Sequence, residues 1–312
     1  MFSKKNQLFR GKIATVVSGL GDMSLRDTLE CGQAFRYEKL YEDEKYVEYL
    51  TVAYGKIIIV GQEKAGELIL FGEHDEDYFD TVRRYFALDT DFAKIRADVL
   101  SRTDSEWLKN AAESAKGIAI LKQEPWETVF SFIISQNNNI PRIRKIIRSI
   151  SAEYGENLAQ KQGMSECPIK AEGCYPGCEK CRTCGICYSF PTPEQVAERP
   201  EGLLPSHPGF RYKYLVDAAE RVASCDVDLQ KIEEAESYDI TLAELKRIKG
   251  VGDKVASCAA LFGFANLEAF PIDVWMKRAI DEYFDGQLDP TSLGPYAGVA
   301  QQYIFHYIRN LS

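Results

Sequence analysis

The hydrophobic pattern of the chain changes once, and this change constrains the fold more than any other feature. Residues 10–72 are rich in Val, Ile, Tyr and Thr, and the stretch VEYLTVAYGKIIIVGQ contains a Tyr-Gly-Lys break that predicts a hairpin. From about residue 123 onward the apolar residues follow the helical period instead. The sequence therefore predicts an α+β protein: an antiparallel sheet with helices in residues 1–120, then a helical domain in residues 121–312.

Polar starts followed by apolar periodicity predict individual helices. The predicted helices are DEDYFDTVRRYFAL and TDSEWLKNAAESAK in the first part, and WETVFSFIISQ, IPRIRKIIRSISAEYG, GFRYKYLVDAAERVAS, LAELKRIKG, DKVASCAALFGF, DVWMKRAIDEYF and PYAGVAQQYIFHYIRN in the second. Pro141 falls in a predicted first turn, where proline is tolerated. A cysteine-rich insert without helical period, residues 164–190, interrupts the series.

The overall charge gives only a weak constraint on the binding partner. Lys and Arg number 38 and Asp and Glu number 47, so the net charge of −9 on its own argues against nucleic acid. The cations are locally concentrated, however, in PRIRKIIRS and LKRIKG, so a nucleic-acid partner stays open. The chain has no apolar run of about 18 residues, and its start lacks the apolar segment of a signal peptide, so we expect a cytoplasmic protein without a membrane partner.

The stretch LKRIKGVGDKVASC predicts two helices joined by a tight Gly-Val-Gly turn. In such a hairpin the backbone N–H groups of Gly250 and Gly252 point outward beside a helix N-terminus, which suits them to one DNA phosphate. An ordinary helical corner that packs a core is the alternative interpretation of the two glycines.

Lys254 and Asp273 add chemistry to this hairpin, and 273 − 254 = 19 residues separate them. A neutral amine in the first turn of a largely apolar helix can attack a sugar carbon and form a Schiff base. Asp273 directly precedes a helical pattern, so it can cap that helix, and its carboxylate can also stabilise positive charge as a glycosidic bond breaks. A solvated lysine and a simple helix cap are the alternatives.

Several motifs occur in one order along the chain: CGQAFRY, SQNNNIPRI, GFRYKY, GVGDKVASC, FPIDVW and GPYAGVAQQYIF. In this ordered set the sequence resembles the 8-oxoguanine DNA glycosylases of the helix-hairpin-helix superfamily. The resemblance implies a monomeric, bifunctional enzyme that flips 8-oxoguanine opposite cytosine out of double-stranded DNA, excises it and cleaves the abasic strand, without a cofactor for catalysis. It further implies that Lys254 is the Schiff-base nucleophile and that Asp273 is its carboxylate partner.

The resemblance also implies how the damaged base is bound. The Gly32 carbonyl would accept a hydrogen bond from N7–H, a group that 8-oxoguanine has and guanine lacks. Gln301 would bind the Watson–Crick edge, while Phe305, on the same helix face, would stack on the base and Cys258 would cover its other side. Taken alone, each of these four residues could equally be a turn or core residue.

The remaining implied contacts are with the DNA. Asn137 would fill the gap that the flipped base leaves, Phe210 would wedge the stack, and Arg142 and Arg211 would hold the orphaned cytosine. The family often has a histidine two residues after the aspartate, and Trp275 stands there in this chain.

The insert contains six cysteines between residues 167 and 187. Clustered Cys-x-x-Cys spacing in a cytosolic chain suggests a metal before disulfides. Cys178, Cys181 and Cys184 resemble part of a ferredoxin motif, and a tetrahedral zinc bound by four of the six cysteines is an equal alternative to an iron–sulfur cluster. A reduced loop without metal is the third interpretation.

Two other functions remain open at this point. A monofunctional glycosylase for alkylated bases would not need Lys254, and a non-catalytic DNA-binding protein would need neither Lys254 nor Asp273.

Overall fold

A six-stranded antiparallel sheet lies in the first part of the fold. The computed structural model describes residues 2–72, 74–166, 168–169, 179 and 184–311. The strands are β1 (Ser3–Phe9), β2 (Lys12–Ser18), β3 (Tyr37–Glu42), β4 (Val47–Ala53), β5 (Lys56–Gln62) and β6 (Glu67–Phe71), in the order β1-β2-β6-β5-β4-β3. The hairpin predicted at Tyr-Gly-Lys joins β4 to β5 through Tyr54 and Gly55, whose φ angles of 51° and 68° suit a two-residue hairpin turn.

Four helices accompany the sheet in the first part of the chain. They are α1 (Leu25–Glu30), α2 (Glu76–Tyr85), α3 (Phe92–Ser101) and α4 (Glu106–Ser114). The polar starts that predicted α2 and α4 act as N-caps, since Asp75 accepts from the Tyr78 N–H and Ser105 from the Leu108 N–H. The short helix α1 lies in the stretch that the sequence pattern assigned to the sheet.

The second part of the chain is helical, as the sequence predicts. Its helices are α5 (Pro125–Ser135), α6 (Ile140–Tyr154), α7 (Leu158–Lys161), α8 (Pro193–Glu198), α9 (Tyr212–Ala223), α10 (Leu229–Glu234), α11 (Tyr238–Leu245), α12 (Asp253–Gly263), α13 (Val274–Tyr283) and α14 (Ala297–Asn310). Short 3-10 segments, Pro200–Ser206, Gly209–Arg211 and Pro290–Tyr296, connect some of them. The predicted α+β fold is therefore confirmed.

Two large apolar cores hold the layers together. One core lies between the sheet and helices α1 and α2, and includes the fully buried side chains of Tyr49 and Phe86. The other core joins the helices and includes Phe130 and Tyr303, and Leu108 of α4 is part of it. The predicted domain boundary near residue 120 stays a prediction.

Among the residues that the structure describes, no helix combines the length and the apolar character that crossing a bilayer requires.

Candidate active site

One cavity of about 960 Å³ gathers side chains from distant parts of the chain. Its wall is formed by the loop after α1, the segment that joins α5 to α6, helix α12, the start of α13, and α14. All six residues predicted to act in catalysis or base binding line this cavity: Lys254, Asp273, Gly32, Cys258, Gln301 and Phe305. The structure thus brings these residues together, while the role of each stays a prediction.

Lys254 lies in the first turn of α12 and is half-buried at the cavity wall. Its Nζ lies 3.5 Å from the hydroxyl oxygen of Ser135 and 5.4 Å from the centre of the Phe132 ring. Within the described residues no carboxylate forms an ion pair with this amine. The polar groups near the tip of this amine include the Ser135 hydroxyl and the Cys258 thiol, and the Phe132 ring forms an apolar side of its surroundings.

Asp273 is the N-cap of α13, as its place before the helical pattern predicts. Its Oδ1 accepts hydrogen bonds from the backbone N–H groups of Trp275, at 3.0 Å, and Met276, at 2.9 Å. Its Oδ2 has no hydrogen-bond partner among the residues that the structure describes. One carboxylate oxygen thus fixes the helix end, and the other remains available on a side chain that lines the cavity.

Cys258 follows Lys254 by one helical turn and is buried. Burial raises the pKa of its thiol to about 11, against the opposing effect of the Lys254 ammonium. The thiol is therefore neutral near pH 7 and presents a small, weakly polar surface to the cavity. Next to it Phe132 stacks on Phe262 with ring centres 5.5 Å apart, so this side of the cavity is apolar.

Gly32 occupies the loop between α1 and β3 with a φ of +94°, a backbone conformation that favours glycine. Neither its N–H nor its carbonyl hydrogen-bonds to another described residue. A side chain at this position would point toward Phe305 and Arg309, whose nearest atoms lie 3.5 Å from the place of a Cβ. The loop therefore presents an unpaired carbonyl where the backbone runs beside the cavity.

Helix α14 contributes Gln302 to the cavity wall and, at a spacing of four residues, Gln301, Phe305 and Arg309. Gln301 is buried, and its Oε1 accepts from the amide of Gln302 at 2.7 Å. The Arg309 guanidinium lies over the Phe305 ring at 5.3 Å. The sequence interpretation missed Arg309, although the same spacing of four residues that relates Gln301 to Phe305 would have identified it.

The three asparagines between α5 and α6 differ in their hydrogen bonds. Asn138 donates from its side chain to the Ile134 carbonyl and so closes α5, while Asn139 caps α6 by accepting from the Arg142 N–H. Asn137 is exposed, has a φ of 51°, and its side chain has no hydrogen-bond partner in the described part of the chain. Asn137 is therefore the member of the triplet whose side chain is not engaged at a helix end, and its predicted contact with DNA stays a prediction.

The side chain of Arg211 is occupied within the protein. It is only 2% exposed, and its three nitrogens donate to the carbonyls of Pro208, Gln136 and Asn137. Burial and the nearby charge of Arg142 lower the pKa of Arg211. In this structure Arg211 holds the loop that carries Asn137, and its predicted contact with the orphaned cytosine stays a prediction.

Phe210 and Arg142 are open to solvent. Phe210 is 51% exposed, and the Arg211 guanidinium lies 4.4 Å from the centre of its ring. Arg142 is exposed at the start of α6 and also lines the cavity. Arg142 therefore lies at the cavity with Asn137, and Phe210 adjoins Arg211, which binds the loop that carries Asn137. The DNA contacts predicted for both residues stay predictions.

The Gly-Val-Gly turn joins α11 to α12 as predicted. Gly250 has a φ of +82°, and a Cβ there would lie 2.5 Å from the Tyr214 ring, so both conformation and packing require glycine. Gly252 has an ordinary φ of −100° and no described atom within 4 Å of a Cβ position. The N–H groups of both glycines lack hydrogen-bond partners among the described residues, whereas the Val251 N–H donates to the Ile248 carbonyl.

Several cations of the stretches PRIRKIIRS and LKRIKG form ion pairs with carboxylates of the protein. Arg144 and Arg148 both pair with the carboxylate of Glu38. In LKRIKG, Lys246 pairs with Asp253, and Arg247 pairs with Asp226 and Glu244. Lys145 and Lys249 remain exposed and without an ion-pair partner in the described part, so fewer cations are available for phosphates than the count implies.

The metal prediction falls mostly outside the described residues. Cys178 and Cys181 lie there, whereas Cys184 is described and half-buried. Among the residues that the structure describes, no group of three His, Cys, Asp or Glu side chains is arranged to hold a metal ion.

Comparison with known proteins gives a consistent result. Residues 16–129 match the N-terminal domain of 8-oxoguanine DNA glycosylases. The structure of MBOgg1 in complex with a low-affinity DNA ligand is 32% identical, covers 99% of each chain and has a TM-score of 0.80. The 8-oxoguanine glycosylase/lyase of Clostridium acetobutylicum, in complex with double-stranded DNA containing cytosine opposite 8-oxoguanine, is 29% identical over 100% of this chain and 98% of its own, with a TM-score of 0.78.

A curated relative agrees with the structural matches. The N-glycosylase/DNA lyase of Saccharomyces cerevisiae is 29% identical over 290 residues, which is 86% of this chain and 69% of the relative. The chain belongs to the 8-oxoguanine DNA glycosylase family.

Proposed function

We propose that this chain is a bifunctional DNA glycosylase that excises 8-oxoguanine opposite cytosine and then cleaves the abasic strand as a lyase. The observation that carries this proposal is the shared cavity, which places an amine, a carboxylate with one unpaired oxygen, and an unpaired backbone carbonyl around one space. The family membership and the names of the similar proteins support the same activity.

The chemistry follows from Lys254 and Asp273. The Lys254 amine attacks C1′ of the flipped nucleotide, the glycosidic bond breaks, and the base leaves with the bonding electrons. Asp273 stabilises the positive charge that develops on the sugar, because its Oδ2 is not used by the helix cap. The C1′–N adduct then loses a proton from nitrogen, and the C1′–O4′ bond breaks as O4′ takes up a proton, which leaves a Schiff base. This Schiff base makes the 2′ proton acidic and permits β-elimination of the 3′ phosphate.

Base selection depends on the loop and on α14. The Gly32 carbonyl accepts from N7–H of 8-oxoguanine, and it would repel the N7 lone pair of guanine. Gln301 binds the Watson–Crick edge, and Phe305 and Cys258 enclose the base plane. The N–H groups of Gly250 and Gly252 bind a phosphate of the duplex. Asn137 fills the gap that the flipped base leaves, and Phe210 wedges the stack. Arg142 and Arg211 hold the orphaned cytosine.

Borohydride trapping tests the proposed nucleophile directly. The wild-type protein, incubated with a duplex that carries 8-oxoguanine opposite cytosine and then reduced, is expected to yield a covalent protein–DNA adduct. Lys254→Gln is expected to yield none while it still binds the duplex, because the amine is lost and the phosphate contacts are kept.

A matched control is available on the same cavity wall. Lys277 of α13 is a second cavity lysine, and Lys277→Gln is expected to trap like the wild type. An adduct in the Lys254→Gln variant, or its loss in Lys277→Gln alone, would refute the assignment of Lys254. Wild-type protein that neither traps nor excises 8-oxoguanine would refute the proposed activity as a whole.

The insert and the assembly state are separate parts of the proposal. We propose that the cysteines of the insert, Cys178, Cys181 and Cys184 among them, bind a structural zinc or an iron–sulfur cluster that catalysis does not use. Elemental analysis of protein purified without oxygen decides between zinc, iron and no metal. The enzyme is expected to act as a monomer, which light scattering on the free protein and on its DNA complex will test.

A further inference from the structure

Gln33 is a fully buried polar side chain that joins α1 to the stretch of backbone at residues 119–121. Its Nε2 donates to the carbonyls of Thr28 and Ala119, at 2.8 Å each, and its Oε1 accepts from the Leu121 N–H at 2.8 Å. Its own carbonyl accepts from Nε2 of Gln123 at 2.8 Å. These bonds tie the loop after α1 to residues 119–123, which lead into α5.

The residue before Gly32 is fixed as well. Cys31 is buried, its thiol donates to the Thr28 carbonyl at 3.4 Å, and Nε2 of Gln33 lies 3.3 Å from its sulfur. Burial raises the pKa of Cys31 to about 11, so the thiol keeps its proton near neutral pH. Both neighbours of Gly32 are therefore held in place, while Gly32 itself has no side chain and no hydrogen bond in the described part of the chain to set its carbonyl.

The direction of the Gly32 carbonyl depends on the peptide plane that Gly32 shares with Gln33. We propose that Gln33 is a positioning residue, which fixes this peptide plane and thereby aims the Gly32 carbonyl at the N7 position of the bound base. This inference rests on the proposed function and deepens it, because it names the side chain that allows the Gly32 carbonyl to recognise N7–H. A hydrogen bond weakens steeply when its angle departs from linearity, so a small rotation of this plane reduces discrimination.

The test compares base excision with strand cleavage in one variant. Gln33→Met keeps the length of the side chain and removes its amide. Its single-turnover excision of 8-oxoguanine is expected to fall about 10-fold or more, while cleavage of a pre-formed abasic site changes less than about 2-fold, because the latter needs no base contact. 8-Bromoguanine has a lone pair at N7 instead of a hydrogen. The ratio of the excision rate of 8-oxoguanine to that of 8-bromoguanine is expected to fall by a similar factor in Gln33→Met.

The chain offers a matched control for loss of stability. Gln62 is also buried and makes a similar set of bonds: its Nε2 donates to the carbonyls of Met23 and Glu67, and its Oε1 accepts from the Leu25 N–H. Gln62 lies on the sheet and does not line the cavity. Gln62→Met is expected to lower Tm as Gln33→Met does, but to leave the ratio of base excision to abasic-site cleavage unchanged.

Two results would overturn the proposal. The first is that Gln33→Met and Gln62→Met, at equal Tm, lose base excision and abasic-site cleavage to the same extent. Gln33 would then have a structural role only. The second is that Gln33→Met excises 8-oxoguanine at the wild-type rate and with the wild-type base preference.

A second variant keeps the proposal testable if Gln33→Met does not fold. Gln123→Met removes the one hydrogen bond to the Gln33 carbonyl, and a smaller loss of excision rate is expected. The wild-type controls test the proposed activity separately, since their failure would not depend on Gln33.

Discussion

At the scale of single residues, different atoms of one side chain, or neighbouring residues of one turn, have different roles in the candidate site. Some hold a helix end in place, and others are left for chemistry. Asp273 caps α13 with Oδ1 alone, so the helix cap and the charge can be tested independently. The asparagine triplet divides in the same way, with Asn138 and Asn139 engaged at helix ends and Asn137 left open. Such a division cannot be recognised from residue types, because all three asparagines carry the same functional group.

Asp273→Asn is expected to preserve the helix cap, since the amide oxygen can accept the same two N–H bonds, and to remove the negative charge. Excision of 8-oxoguanine should slow by about 100-fold or more, which is the effect of losing one electrostatic stabiliser of a transition state. Single-turnover kinetics, duplex affinity and Tm are the measurements. Asp273→Ala should slow excision equally and also lose about 1 kcal/mol of stability with the cap. Excision by Asp273→Asn at the wild-type rate would leave Asp273 as a cap only.

Gly32→Ala is expected to impair excision more than DNA binding. A Cβ at this position makes only ordinary contacts at 3.5 Å, but the φ of +94° strains any residue other than glycine, and the methyl group lies beside the cavity. A misplaced base contact worth about 1–3 kcal/mol corresponds to a roughly 5- to 150-fold slower excision. Affinity for a duplex with an abasic-site analogue should change little. Equal losses in rate and affinity would mean that Gly32 supports the fold.

At the scale of elements, the sequence predicted nine of the helices in their order, the hairpin between β4 and β5, and the turn between α11 and α12. It did not single out α1, α3, α7, α8 and α10, of which all but α3 are six residues or shorter. Each of these depends on local signals: a cap, a periodicity or a pair of turn residues. What the sequence could not show depends on partners far along the chain. Arg144 and Arg148 pair with Glu38 more than 100 residues away, and Gln33 bonds to Ala119 and Leu121, so neither network leaves a local pattern.

The two glycines of the Gly-Val-Gly turn are expected to respond differently to alanine. Gly250→Ala should destabilise the fold, because its Cβ would meet the Tyr214 ring at 2.5 Å and its φ is +82°. Gly252→Ala should leave Tm nearly unchanged, since no described atom lies within 4 Å of the new methyl group. If a phosphate approaches this N–H, Gly252→Ala should weaken duplex binding by about 10-fold. Wild-type affinity in a folded Gly252→Ala protein would exclude the turn as a phosphate site.

At the scale of the whole molecule, a buried ion pair links the sheet part to the helical part. Arg36, just before β3, donates to Glu127 of α5 at 2.9 Å and also to the carbonyl of Tyr188. Glu124 lies nearby and accepts from the Tyr54 N–H at 2.7 Å. Glu127 alone pairs with the guanidinium, and Glu124 senses its charge without a direct contact. Burial raises the pKa of both carboxyl groups.

Glu127 is expected to make the stability of the protein depend on pH near neutrality. Burial raises its pKa to about 7 from an ordinary value of 4.5, against the opposing effect of Arg36. Between these two values the folded protein holds a proton that the unfolded chain has released, so the free energy of unfolding falls as pH rises and levels off above about pH 7. The contribution, fully present below about pH 4.5, amounts to about 1–3 kcal/mol. Glu127→Gln is neutral throughout and should remove this part of the dependence.

Denaturant unfolding between pH 5 and pH 8 gives the free energy of unfolding as a function of pH. The difference in the slope of this dependence between wild type and Glu127→Gln measures the effect of Glu127, since other groups contribute equally to both. The exposed Glu194 provides the control, and Glu194→Gln should keep the wild-type slope. Identical slopes in wild type and Glu127→Gln would mean that Arg36 keeps Glu127 ionised over the whole range. A steeper fall in the variant would mean that the charged pair, rather than the protonated acid, stabilises the contact between the sheet and α5.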